Sequence, residues 1–209
     1  AKAKTVLLSK DGQISYWQWL KKAYNLRDEQ VRPYNYSLSQ FLANKQAVQQ
    51  AYATSEPLAV EKQAGFKPVV ISLADAGWST YGMVLETRQD LVKNKPDVVQ
   101  RFLDATAIGW YNYLYGDRKP AAALIQKINP DISNDYIEQS LPILRAHIDT
   151  GDALTKGIGA MSDARMKDFY DKVQDAGLYK PGMLNYKDAY TTQFVNKSVG
   201  LDIRKKLAK

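Results

Sequence analysis

The chain contains no cysteine and one histidine, His147. The missing thiols exclude disulfides, thiolate zinc sites, iron–sulfur clusters and cysteine nucleophiles together. A lone histidine argues against a Ser-His-Asp triad and against a multi-histidine metal site. Long apolar runs are missing too: no stretch reaches the roughly 18 residues needed to cross a bilayer. One long uncharged run, Ala105 to Gly116, is interrupted by glycine, asparagine and tyrosines. The start, Ala1-Lys2-Ala3-Lys4, has neither an initiator methionine nor the apolar core of a signal peptide, and is expected to be a mature or trimmed end. No phosphate loop of the GxxxxGK type occurs, and no carboxylate pair stands out by its spacing for acid–base work.

What remains is an ordinary globular composition. Of 209 residues, 45% are apolar and 24% charged, which excludes wholesale disorder. A chain of this length buries roughly 70% of its unfolded surface, enough for a core without staples. Lys and Arg number 29 against 22 Asp and Glu, a formal charge of +7. The only dense basic cluster is Arg204 to Lys209. Elsewhere cations alternate with acids, as at Lys172 and Asp175 or Lys187 and Asp188. That pattern is a solvated face, and no nucleic-acid partner is expected.

The first seventy residues alternate strand and helix signals. Thr5 to Ser9 is a short buried-strand pattern closed by Ser9-Lys10-Asp11-Gly12, and Tyr16, Trp19, Leu20, Ala23 and Tyr24 then recur at helical spacing. Val31 to Tyr36 predicts a second strand, placed at an edge by Pro33. Leu38 to Gln46 predicts a short helix and Val48 to Ala53 a third strand. Pro57 sits near N1 of the next helix, where its missing N–H does no harm. Val69 to Leu73 is the clearest buried-strand pattern of the chain. Asp75 to Gly82, with two glycines and little periodicity, reads as a linker, and Met83 to Thr87 as one more strand. Helices then dominate. Pro96 opens a long one to about Tyr115, stopped by Gly116, with Val98, Val99, Phe102, Leu103 and Ala105 as its apolar side. Another spans Ala121 to Lys127, before Asn129-Pro130. Ser133 and Ser162 are N-cap candidates for helices over 135–146 and 163–176, and Gly177 is the stop of the last.

Thr54-Ser55-Glu56-Pro57, the crossover Gly77 to Gly82 with Met83 to Thr87, the segment Asn94 to Phe102, Gly157 to Arg165 and Ala176-Gly177-Leu178 follow one another in an order that resembles a known family. It is the solute-binding proteins of ABC importers in the nitrate/sulfonate/taurine and thiamin-pyrimidine-precursor group. The resemblance covers nearly the whole chain, although each piece is a short loop–helix pattern. It implies an α/β fold of the periplasmic-binding-protein type II kind: two lobes with parallel sheets flanked by helices. Residues 1–74 would be lobe two, 75–82 the hinge, and 83–209 the mainly helical C-terminal part of lobe one. The leading strands of lobe one have no counterpart here. An additional N-terminal segment or a second chain is therefore expected to complete the sheet on which the helices pack.

Nine residues are the candidate ligand contacts, each with an ordinary reading beside the functional one. Ser9, Gly12 and Gln13 lie between a strand and a helix, where free N–H groups favour anions or carbonyl oxygens; an Asp/Gly turn is the plain alternative. Thr54, Ser55 and Glu56 follow a strand end, where open α/β sheets bind ligands, yet a helix start also calls for such residues. The Glu56 carboxylate disfavours sulfonate or nitrate and favours an amine-bearing or heteroaromatic ligand. Trp17, Trp78 and Tyr81 offer flat faces for stacking, with core packing as the alternative; Trp19 reads as core. The run Gly109 to Tyr115 reads as packing and rim, and His147 as a helix C-terminal charge rather than a catalyst.

The resemblance implies a non-enzymatic receptor outside the cytoplasmic membrane, periplasmic or lipid-anchored. It would capture a small molecule and deliver it to an ABC permease in the inner membrane, with no cofactor and no metal. The alternative is an enzyme on the same fold, like the fungal pyrimidine-precursor synthases, whose cysteine-rich segment has no match in this chain. A helix-rich interaction domain without a ligand is the third reading.

Overall fold

The computed structural model describes residues 3–208. By its internal contacts the chain divides into two units, one holding the residues up to Thr80 with Ala164–Ala189, the other Tyr81–Asp163 with Tyr190–Lys209.

The first unit is built on a three-stranded sheet of β1 (Thr5–Leu8), β2 (Val31–Pro33) and β3 (Ala47–Gln49) in the order β2-β1-β3, all parallel. Val6 faces Val31 on one side and Val48 on the other. β1 is central and apolar, and Val6, Leu7 and Leu8 are buried, as a strand paired on both edges and covered on its faces must be. Pro33, which cannot donate to a ladder, ends an edge strand as the sequence predicts. The connections are helical: α1 (Lys10–Ile14) and α2 (Tyr16–Tyr24) after β1, α3 (Ser39–Ala43) after β2, and α4 (Glu56–Ala64) after β3. α2 stops where Asn25 enters the left-handed region at φ 52.

Trp17 of α2 anchors this unit. It is 1% exposed, packed with Val6 and Leu8 and flanked by Leu20, Leu26 and Val31. Its indole N–H donates to Asp28 Oδ1 at 2.8 Å, so the one polar atom of the ring is satisfied at the rim of the core.

The second unit is helical: α5 (Gln89–Asn94), α6 (Pro96–Tyr115), α7 (Lys119–Ile128), α8 (Asn134–Ile148) and α9 (Ala153–Lys156). α10 (Asp163–Asp175) then carries the chain back to the first unit, and α11 (Leu201–Leu207) ends the second. Ser133 caps α8, its hydroxyl accepting from Tyr136 N, and Gly177 at φ 80 closes α10 with Leu178 N–H on Val173 O. In the first unit Trp78 lies between the rings of Trp19 and Phe169 at 5.4 and 5.2 Å, and Lys22 Nζ donates to Asp175 O, so α10 docks through aromatic packing and a helix-end cation.

In the second unit Ala107, Tyr111 and Leu114 of α6 are buried with Ala122, Ile137 and Leu141. Asp149, just past α8, has a fully buried side chain. Its Oδ2 accepts from Arg204 Nε of α11 at 2.5 Å and from the Tyr115 hydroxyl, while Oδ1 has no partner among the described residues. Arg145 donates from Nε to Leu114 O at 2.7 Å and lies over the Tyr115 ring. The charge buried at Asp149 is therefore compensated by one guanidinium and one phenol.

Three expectations are corrected. Val69 to Leu73 is not a strand: it joins no ladder, and Val69 and Ile71 are 91% and 73% exposed. Met83 to Thr87 is not a strand either, and Met83 is 88% exposed. Both carry β-favouring residues, but strand propensity expresses fit to a pleated, half-buried surface, and neither stretch meets a neighbouring strand. The long helix has the bounds expected of it, with its buried face turned. Phe102 and Val98 are exposed, and the residues inside are Ala107, Tyr111 and Leu114, at i, i+4 and i+7, because α8 and α11 pack on that side.

Gly200 caps α11 at φ 79, and a Cβ there would lie 2.4 Å from the ring of the fully buried Tyr111. Gly200→Ala combines left-handed strain with overpacking and is expected to cost roughly 2–5 kcal/mol in denaturant unfolding. The Trp17 N–H foremost, then Lys21, hold the Asp28 carboxyl below its ordinary range. A lowered folded pKa means stability that is present above the unfolded value and lost as pH falls through the folded one. Thermal midpoints of the natural protein should drop below pH ~4, and those of Asp28→Asn should drop less.

Candidate functional site

The strand order places a switch point at the carboxyl end of β1. The chain leaves β1 toward β2, then returns past β1 to β3, so the segments that follow β1 and β3 begin side by side at this end of the sheet. The first residues beyond the three strands, Ser9, Tyr34 and Gln50, line this end. Tyr34 N–H and Gln50 N–H continue the ladder onto Leu8 O and Leu7 O, each at 2.9 Å.

Gln50 ties the two loops together. Its Oε1 accepts from Ser9 N at 3.0 Å and from Ser9 Oγ at 2.9 Å. Ser9 Oγ in turn accepts from Gly12 N at 3.2 Å, and Gln13 Nε2 donates to Leu8 O at 3.1 Å. Ser9 is thus the N-cap of α1, and Lys10 to Gln13 form a helical turn where the sequence suggested an open Asp/Gly turn. The N–H groups expected to meet a ligand are partly spent on this scaffold. Gly12 is buried because Tyr16 and Gln50 close over it: a Cβ would lie 2.5 Å from the Tyr16 hydroxyl oxygen and 2.8 Å from Gln50 Oε1.

Glu56, the first residue of α4, organises the other side. Its Oε1 accepts from the Tyr34 hydroxyl at 3.0 Å and its Oε2 from Tyr52 N at 2.8 Å. Tyr34 is buried and its ring lies 5.1 Å from that of Tyr36, tilted by 47°. Tyr36 is held at φ 62, an uncommon conformation for a bulky side chain, and is 73% exposed; Tyr52 is 65% exposed. Burial first, then the neighbouring Tyr52 and Tyr36, push the Tyr16 hydroxyl well above its usual range. Burial and the Glu56 carboxylate do the same for Tyr34. Both phenols stay protonated as donors. Four tyrosines and one half-buried carboxylate therefore meet around the switch point.

Six of the nine predicted residues belong to this region: Ser9, Gly12, Gln13, Thr54, Ser55 and Glu56. Ser55 N bonds Tyr52 O at 2.9 Å, and its side chain forms no cap on α4. The other three lie elsewhere. Trp17 is spent in the core, and Trp78 is 6% exposed between Trp19 and Phe169, which leaves neither ring a face for a ligand. Tyr81 belongs to the second unit, where its hydroxyl accepts from Ser162 N at 2.8 Å. His147 is exposed in the last turn of α8, its Nδ1 2.8 Å from Ile143 O. The sequence reading passed over Tyr16, Tyr34, Tyr36, Gln50 and Tyr52. The signal is positional: Tyr34 and Gln50 each follow a strand end, but the β-favouring pattern of the sequence runs on to Tyr36 and Ala53.

Among the described residues no group of three or more histidines or carboxylates is placed to hold a metal, and no helix is long and apolar enough to cross a membrane. A parallel sheet flanked by helices is consistent with the fold of the periplasmic binding proteins. The family profile described as NMT1/THI5 like matches residues 4–119, and the chain belongs to that family. It brings together solute-binding proteins of ABC importers and pyrimidine-precursor synthases. No curated protein and no solved structure gives a significant match.

Gly12→Ala sets two effects against each other. Alanine in a helix gains about 0.5–1 kcal/mol over glycine, but its methyl must displace the ends of the Tyr16 and Gln50 side chains. Thermal stability is expected to change by less than about 1 kcal/mol, while ligand affinity measured by calorimetry falls.

Proposed function

We propose that this chain is the solute-binding receptor of an ABC importer, working outside the cytoplasmic membrane and handing a small polar or heteroaromatic molecule to a permease. The observation that carries this reading is the tyrosine cluster around Glu56 at the carboxyl end of a parallel sheet. Exposed aromatic rings beside a half-buried carboxylate are poor choices for stability alone. They suit a flat ligand that stacks on rings and donates to a carboxylate. Each Glu56 oxygen already accepts one internal hydrogen bond and retains a lone pair for a ligand N–H. Ser9, Gly12, Gln13 and Gln50 hold the facing loop, and Thr54 and Ser55 shape the approach.

Capture without turnover separates this reading from the synthase reading. Calorimetry with 4-aminopyrimidine, taurine and nitrate, followed by product analysis, is expected to show binding of the aminopyrimidine and an unchanged ligand. Glu56→Gln should weaken that binding by about 1.5–3 kcal/mol, the worth of a hydrogen bond to a charged group. Equal affinity in the variant would remove Glu56 from the site, and chemical conversion of the ligand would favour the enzyme.

A further inference from the structure

Among the described residues Glu56 has no cationic partner. Its two oxygens are held by a phenol and a backbone N–H, and no lysine or arginine among the described residues forms an ion pair with it. Arg32, at the end of β2, donates instead to Glu29 O and Val31 O. Among the described residues no cation therefore stands beside the carboxylate to offset a negative charge at this end of the sheet.

Around that charge stand π-faces. Tyr34 and Tyr36 are tilted against one another at 5.1 Å, and the Tyr16 hydroxyl lies within electrostatic reach of both Tyr36 and Tyr52. The bonds from the Tyr34 hydroxyl and from Tyr52 N–H meet on the two oxygens of Glu56. Tyr36 carries a further sign. A left-handed backbone is strained for a bulky residue, and here it holds a ring that is mostly in solvent. Burial of that ring in the free protein does not offset the cost, as expected of a residue shaped for a ligand.

From this arrangement we infer that the ligand is an organic cation: a protonated amine or amidinium whose charge is held by Glu56 and whose body lies against Tyr36 and Tyr52. The inference rests on the receptor reading and narrows its substrate class. Aromatic faces attract a cation within about 6 Å of a ring centroid, and the carboxylate supplies the charge-assisted hydrogen bond. Sulfonate and nitrate meet only repulsion. The net charge of +7 does not oppose this, because exposed charges beyond about 8 Å are screened at physiological salt, whereas Glu56 acts at contact.

The test compares benzamidine, a flat cation at neutral pH, with benzamide, its neutral counterpart of nearly equal shape, by calorimetry on the full chain. Benzamidine is expected to bind at least tenfold more tightly. Glu56→Gln should erase most of that preference, and Tyr36→Leu should weaken benzamidine severalfold without lowering the melting temperature. Equal affinities for the two probes, a preference that survives Glu56→Gln, or no binding of benzamidine overturns the cation assignment. If 4-aminopyrimidine still binds in any of those cases, the receptor reading stands; if no probe of either panel binds, both readings fall.

Discussion

β1 is paired in parallel on both sides, and the first unit follows from that constraint. A parallel neighbour cannot be reached by a hairpin, so each passage between strands crosses over through a helix. With β1 in the middle, one crossover runs to β2 and the next must return past β1 to β3. The switch point at the carboxyl end of β1 is a consequence of this order rather than of any loop sequence. Trp17 secures it from below: its ring fills the space under Val6 and Leu8, and its N–H is satisfied by Asp28.

The polar groups at the switch point divide into two kinds. Ser9, Gln13 and Gln50 are bound to one another or to strand carbonyls, and they fix the loop after β1. Glu56 is bound to Tyr34 and to the backbone of Tyr52, which fixes the start of α4 against the end of β2. One carboxylate thereby joins the segments that follow β2 and β3 and remains able to accept again. The tyrosines gain from the same contact, because a protonated phenol beside a carboxylate is a donor held in place.

The second unit uses a buried carboxylate differently. Asp149 sits where α8 ends, and Arg204 and Tyr115 converge on one of its oxygens. The pairing brings α11 onto α6, where the absence of a side chain at Gly200 admits the Tyr111 ring. Breaking one partner of such a set would leave an uncompensated buried charge, so the set specifies where the last helix docks.

Local chemistry was legible in the sequence. The strand at Thr5 to Leu8, the edge strand marked by Pro33, the helix from Pro96 to Tyr115 and the stops at Gly116 and Gly177 all follow from short-range rules of periodicity, proline and glycine. The place of Glu56 at the first turn after a strand was legible too, because a carboxylate at a helix start is a local pattern. Val69 to Leu73 shows where such rules end: its residues favour a strand, but a strand exists only where another lies beside it. The same holds for the buried face of α6, chosen by the helices packed on it, and for Trp17 and Trp78, whose rings went to the core. Tyr16, Tyr34, Tyr36 and Tyr52 are spread over 37 positions, and nothing in their spacing marks them as one group. They come together only when the order β2-β1-β3 sets the ends of three strands side by side, which is a property of tertiary pairing and not of any segment.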